Sequence, residues 1–133
     1  MRVVLDTNVL VSSQLSPNGS PAEVLHFVLE KHAVPVLDHR ILTEYYDVLL
    51  RPKLHIPRQQ VLDLLEDLVA VSAMLPVGSD RVDLPDPTDA KFVECALAGG
   101  ADYLVTGNLR HFPAEACRGV RVASPAEFVA IAK

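Results

Sequence analysis

Apolar residues in this chain follow two rhythms. Short unbroken runs, Val3-Val4-Leu5, Ala33-Val34-Pro35-Val36-Leu37 and Tyr103-Leu104-Val105, read as buried strands, and Gly119 to Ala123 reads as a last one. Between them apolar residues recur at helical spacing. Val24, Leu25, Phe27 and Val28 form one such stripe, and Ile41, Leu42, Tyr45, Val48 and Leu49 a second. Val61, Leu62, Leu64, Leu65, Leu68 and Val69 form a third, and Phe92, Val93 and Ala96 a fourth. The boundaries predict helices from Ser20, from His39 to Arg51, from Pro57 to Met74, and from Asp86 to Gly99-Gly100. Ser20-Pro21-Ala22-Glu23 and Ser124-Pro125-Ala126-Glu127 both have the form of a capping box with Pro at the first helical position. Val77 to Leu84 reads as loop with room for a short strand, and Pro35 places its run at a sheet edge or early in a strand. Strands alternating with helices predict an α/β fold with a parallel sheet of four or five strands, in one domain over residues 1–133.

Composition narrows this picture. A chain of 133 residues, half of them apolar and without Trp, supports one core of Val, Leu, Ile and Ala. No apolar run reaches the ~18 residues of a membrane span, and Asp6 interrupts the stretch that would otherwise suggest a signal peptide. Cys95 and Cys117 lack paired spacing, which fits buried small side chains in a reducing cytoplasm. The net charge of −5 excludes a broadly basic nucleic-acid surface. A phosphate partner then needs a local basic patch or metal ions.

Acids stand out against this background. Asp6 closes the first apolar strand, and ligands of open α/β sheets bind at the carboxyl ends of strands. Asp89 shares a face with Phe92, Val93 and Ala96, so it points inward from the first turn of its helix. Glu44 lies about 40° from Val48 on the helical wheel, at the edge of the stripe. Asn108 ends the strand Tyr103 to Val105 and offers an amide oxygen to a metal-bound water. Each has a structural alternative. Asp86 suits an N-cap, Asp89 a first-turn acid, Glu44 an ion pair with Arg40, and Asn108 a turn. Together, without a compensating Lys or Arg, the carboxylates raise one another's pKa, and a hard cation with oxygen ligands, Mg²⁺ or Mn²⁺, removes that cost. Such a centre can activate water and stabilise a leaving phosphodiester oxygen.

Four segments then carry a resemblance: Val3-Val4-Leu5-Asp6-Thr7-Asn8-Val9-Leu10, Leu42-Thr43-Glu44, Asp86-Pro87-Thr88-Asp89-Ala90-Lys91-Phe92, and Ala101-Asp102-Tyr103-Leu104-Val105-Thr106-Gly107-Asn108. In this order and spacing the chain resembles a PIN domain over nearly its whole length. The resemblance implies a three-layer α/β/α fold, Mg²⁺ or Mn²⁺, and cleavage of single-stranded RNA leaving a 5′-phosphate and a 3′-hydroxyl. Short prokaryotic members of that kind are commonly the toxin of a toxin–antitoxin pair. The family's first three acids fall on Asp6, Glu44 and Asp89. Where a fourth Asp is common, this chain has Asn108, with Asp86 available to compensate. Thr7, Asn8 and Thr106 match polar positions that support the site.

Other polar residues are secondary. Arg51, Lys53, His55 and Arg58 form the densest basic stretch, so Arg51, Lys53 and Arg58, with Arg110, are the candidates for RNA contact. Glu94 is about 140° from Asp89 and belongs to another face, Asp102 opens its strand at the far end, and His111 after Arg110 reads as surface loop, with phosphate contact the alternative. The apolar content favours self-association, with a dimer expected beside a cognate antitoxin. The competing reading is a PIN-like module that binds RNA or protein without turnover. A receiver-like signalling domain and an aspartyl phosphatase lack their further motifs; the second Asp of the latter is replaced by Asn8.

Overall fold

The computed structural model describes residues 1–132, which fold around a five-stranded parallel sheet flanked by helices in three layers. The strands are β1 (Arg2–Leu5), β2 (Val34–Leu37), β3 (Ala73–Met74), β4 (Tyr103–Val105) and β5 (Arg121–Ala123), in the order β3-β2-β1-β4-β5. The helices are α1 (Thr7–Leu15), α2 (Ser20–Leu29), α3 (His39–Leu49), α4 (Arg58–Val71), α5 (Ala90–Gly99) and α6 (Pro125–Ala132). Val3, Val4 and Leu5 of the central β1 are fully buried, as are Val36, Leu37, Leu104 and Val105, so the sheet reads as continuous apolar runs because both of its faces are covered.

The chain leaves β1 in one direction to reach β2 and β3, then crosses back to β4 and β5 on the other side. The strand order therefore reverses between β1 and β4, and the crevice beyond their carboxyl ends is the ligand position of such sheets. Leu5 pairs with Val105 there, and the Asp6 N–H carries the ladder one residue further to the Val105 carbonyl at 2.9 Å.

Several expectations are corrected. Ala73 and Met74 are the edge strand β3, not the end of a helix. Ser72 takes extended backbone and its hydroxyl returns to the Leu68 carbonyl at 2.6 Å, so pairing with β2 ends the apolar helix early. The loop from Val77 to Leu84 carries no strand. Of the two places Pro35 allowed, the structure takes the early strand position, second in an internal β2, and not the sheet edge. The Val34 N–H donates to the Met1 carbonyl on the β1 side, so position 35 faces β3, whose pairing starts only at Val36. The helix α1 had no periodic signal, because it buries the polar Thr7 and Ser13 beside Val9 and Leu10. The α5 helix is preceded by a 3₁₀ turn, Pro87–Asp89, and ends at Gly100 with φ of 60°, a left-handed conformation suited to Gly. The second capping box forms as read: the Ser124 hydroxyl accepts from the Glu127 N–H at 3.1 Å and the Glu127 carboxylate from the Ser124 N–H at 2.9 Å. α2 starts one residue earlier than its pattern suggests, with Gly19 in the cap position.

Candidate active site

The ends of β1 and β4 are stitched together by side chains. Thr106, fully buried, donates its hydroxyl to Asp6 Oδ2 at 2.8 Å and accepts the Asn108 N–H at 3.0 Å. Asn8 Oδ1 accepts the Gly107 N–H at 3.0 Å. Asp6 occupies the N-cap position of α1, yet its carboxylate closes no capping hydrogen bond; the nearby Asn8 N–H only favours its charge. Asp6 is 7% exposed. Burial first, and the charges of Asp89 and Glu44 after it, push its pKa up to about 6 against the pull of Thr106.

Glu44 is delivered by α3. Its neighbour Tyr45 is wholly buried and donates its hydroxyl to the Leu5 carbonyl at 2.5 Å, which pins that turn of α3 against the end of β1. Burial holds the Tyr45 phenol well above its ordinary pKa, so it stays a donor. Glu44 then accepts the Thr7 hydroxyl on Oε2 and pairs with Lys91 Nζ, 2.7 Å from Oε1. Lys91 also donates to the Thr88 carbonyl. The expected partner Arg40 is engaged elsewhere, and the acids are not free of compensating Lys: Lys91 reaches one of them.

Asp89 is raised above the ordinary carboxylate range, by burial first and the Asp86 charge second. Its Oδ2 is buried and accepts no hydrogen bond of good geometry, although His111 Nδ1 lies 3.0 Å away at ion-pair distance. Asp86 does cap the 3₁₀ turn, accepting the Thr88 N–H at 2.9 Å and the Thr88 hydroxyl at 2.8 Å, which lower its pKa. Asp86, Asp89 and His111 each present one ligand atom, all within 4.8 Å of one another.

The structure thus brings Asp6, Thr7, Asn8, Glu44, Asp86, Asp89, Thr106 and Asn108 to one edge, and adds Lys91 and His111. Nothing in the helical pattern pointed to Lys91. For His111 a signal existed: it follows Asn108 by three residues in the 3₁₀ turn Leu109–His111, and that period sets the two side by side, with Asn108 Nδ2 2.9 Å from His111 Nε2. Arg110 is exposed in the same turn. Arg51 and Lys53 lie exposed on the connection from α3 to α4 and Arg58 at the start of α4, and among the described residues none pairs with an acid of the site; Arg51 is held by Asp47 at 3.1 Å. Glu94, as expected, faces elsewhere, buried against Arg40, and Asp102 is exposed and accepts the Arg2 N–H at 2.9 Å.

The donor set fits a hard divalent cation. It offers carboxylates with pKa values raised by burial first and by their acidic neighbours after it, and a buried carboxylate oxygen without a hydrogen bond of good geometry. Open sheet, switch point and acidic edge define the class: a small α/β protein that gathers carboxylates where such sheets bind their ligands. The PIN domain family model matches residues 2–110, and the chain belongs to that family, whose members are in general nucleases. An uncharacterised protein of Methanocaldococcus jannaschii is 30% identical over 111 residues, which cover 81% of this chain and 71% of that protein. Among solved structures, VapBC2 from Rickettsia felis bound to a DNA fragment from its promoter superposes with a TM-score of 0.64 at 15% identity, over 93% of this chain and 98% of that one. VapBC-1 from nontypeable Haemophilus influenzae gives 0.60 at 16% identity, over 95% and 99%. FitAB bound to the IR36 DNA fragment gives 0.57 at 16%, over 92% and 94%. At such identities these likenesses show the fold.

Proposed function

We propose that the protein is a divalent-metal-dependent endoribonuclease that cleaves single-stranded RNA, and that it acts as the toxin of a toxin–antitoxin pair. The observation that carries the reading is Asp6, buried at the switch point without a cation partner among the described residues, its pKa raised by that burial and then by Asp89 and Glu44. Asp6, Asp89 and Glu44 would hold Mg²⁺ or Mn²⁺, with Asp86 and Asn108 at its margin, Asn108 through a water. When bound, the metal supplies Lewis-acid stabilisation of the phosphodiester and lowers the pKa of water. Thr106 fixes the rotamer of Asp6, Thr7 fixes Glu44, and Asn8 holds the β4 corner in register. Glu44 would position a second metal or help take the proton of the attacking water. Arg110, exposed in the turn that carries His111, and the exposed Arg51, Lys53 and Arg58 are the cations this reading offers to RNA.

The toxin role draws support from the fold shared with the VapBC and FitAB complexes. A cognate antitoxin and a homodimer are the partners this reading implies, in the cytoplasm; among the described residues no helix is long and apolar enough to cross a membrane. A second reading, an RNA- or protein-binding module without turnover, rests on the neutral Asn108. The deciding test is cleavage of an unstructured RNA with Mg²⁺, Mn²⁺ or EDTA beside an Asp89→Ala control, with calorimetric metal titration in parallel. Metal-dependent cleavage lost in Asp89→Ala supports the nuclease; binding of metal and RNA without cleavage supports the module.

A further inference from the structure

We propose that His111 is a nitrogen ligand for the cation of this site, sharing it with Asp89 and Asp86 while Asn108 orients the imidazole from behind. The inference rests on the metal-site reading above and deepens it. The distance from His111 Nδ1 to Asp89 Oδ2 is 3.0 Å. Two adjacent ligands at right angles around an ion, each about 2.1 Å from it, stand about 3 Å apart. Asp86 completes a triad whose ligand atoms all lie within 4.8 Å of one another. Asp89 Oδ2 is buried and closes no hydrogen bond of good geometry, His111 being its one polar neighbour at ion-pair distance among the described residues.

The other ring nitrogen explains Asn108. His111 Nε2 lies 2.9 Å from the Asn108 side-chain amide, whose oxygen and nitrogen are interchangeable by a half-turn. With the amide oxygen facing it, Nε2–H donates, and Nδ1 is then free to give its lone pair to a cation held by Asp89, in place of the proton it would otherwise share with that carboxylate. Metal-bound histidines are held this way, donating their second N–H to an oxygen that fixes tautomer and ring plane. An Asp at 108 would add a carboxylate to the site; Asn instead orients a neutral nitrogen ligand. The exchange of an oxygen donor for imidazole moves the preference away from Mg²⁺ toward Mn²⁺, Co²⁺ and Zn²⁺.

The test is Mn²⁺ loaded onto the full chain and read by pulsed electron paramagnetic resonance, with calorimetry for Mn²⁺ and Mg²⁺. The His111 side chain is 46% exposed, so His111→Gln is expected to keep the fold. The parent should show nitrogen coupling to Mn²⁺, and His111→Gln should lose it. The variant's Mn²⁺ affinity should fall by about tenfold or more, with a smaller loss for Mg²⁺, and Asn108→Ala should lower Mn²⁺ affinity about tenfold. Mn²⁺ binding without nitrogen coupling, or coupling that persists in His111→Gln, overturns the proposal while leaving the acidic metal site standing. Mn²⁺ affinity unchanged in both Asp6→Asn and Asp89→Ala overturns the metal-site reading and this inference with it.

Discussion

Asp6 and Asp38 stand in equivalent places, and the fold uses them differently. Each follows the last residue of a strand, Leu5 or Leu37, and each precedes the first residue of a helix. Both are nearly inaccessible, at 7% and 1% exposure. Asp38 spends its charge locally. It accepts the Arg40 and Ile41 N–H groups at 2.9 and 3.3 Å, capping α3, and pairs with the Arg40 guanidinium at 2.8 Å. Arg40 reaches on to Glu94 at 2.7 Å, and its own pKa is raised by hydrogen bonding to Asp38 first. Among the described residues Asp6 finds neither a closed cap nor a cation, but a threonine hydroxyl, the Asn8 N–H nearby and two acidic neighbours. A buried acid that the chain has satisfied is part of the scaffold. One that the chain has left short of positive charge is poised for a cation from outside.

The largest expected effect separates the two acids by function. Asp6→Asn keeps the shape and can still accept the Thr106 hydroxyl, so it should fold, yet lose metal-dependent RNA cleavage by on the order of 100-fold or more. Asp38→Asn should retain the parent's turnover per folded molecule and lose thermal stability instead. Kinetics on the folded fraction with melting in parallel reads both. Comparable losses of turnover in the two variants would remove the distinction.

The second test breaks the satisfied cluster. Arg40→Ala strands two buried carboxylates, Asp38 and Glu94, and should cost about 3–5 kcal/mol of stability by denaturant melts. A loss below about 1 kcal/mol, the range of a surface ion pair, would show that the cluster is not a buried network.

How much of this contrast was legible in the sequence can be traced residue by residue. The apolar runs gave β1 and β4 because strands buried on both faces leave an unmistakable pattern, and their ends placed Asp6 and Asn108 on one edge. Asp89 and Glu44 followed from the helical wheel. Pairings across the fold carried no such signal. Arg40 is four residues from Glu44 and was the natural local partner, but α3 turns it toward Asp38 and Glu94. Lys91 reaches Glu44 from α5 through a contact that only the packing of α3 against α5 creates. β3 was hidden for a related reason: a two-residue edge strand is defined by its neighbour, and its own sequence continues the apolar rhythm of α4.

The third test uses pH. Asp6 in the folded state has a pKa of about 6 against an ordinary 3.8, so between these values the folded protein holds a proton that the unfolded chain has released. Asp6's contribution to apo stability is therefore complete below about 3.8 and is lost as pH rises through about 6. At about 1.4 kcal/mol per pKa unit the loss is on the order of 3 kcal/mol. Asp89, also raised, adds a loss of the same sign. Melts in EDTA should show stability falling from pH 4 to 7, with the slope reduced in Asp6→Asn and offset by millimolar Mn²⁺, which binds only the folded state. A flat profile in the parent would mean that Asp6 is already compensated like Asp38.

The smallest effect concerns Lys91, the lysine that among the described residues pairs with an acid of the site. Lys91 Nζ sits on Glu44 at 2.7 Å, in a pair whose side chains are 14% and 26% exposed. In the apo protein it does for Glu44 part of what Arg40 does for Asp38, and an incoming metal must compete with it for the same carboxylate. Lys91→Gln removes that competitor while retaining a donor for the Thr88 carbonyl. Apo stability should drop by only about 1 kcal/mol, since a partly exposed pair contributes little. Mn²⁺ should then bind more tightly and produce a larger rise in melting temperature than in the parent. Glu44→Gln should abolish that gain when combined with Lys91→Gln, because the two substitutions act on one contact. If Lys91→Gln binds Mn²⁺ no better than the parent, Lys91 belongs to the scaffold as Arg40 does, and the line between the two acidic clusters runs through Glu44, not around it.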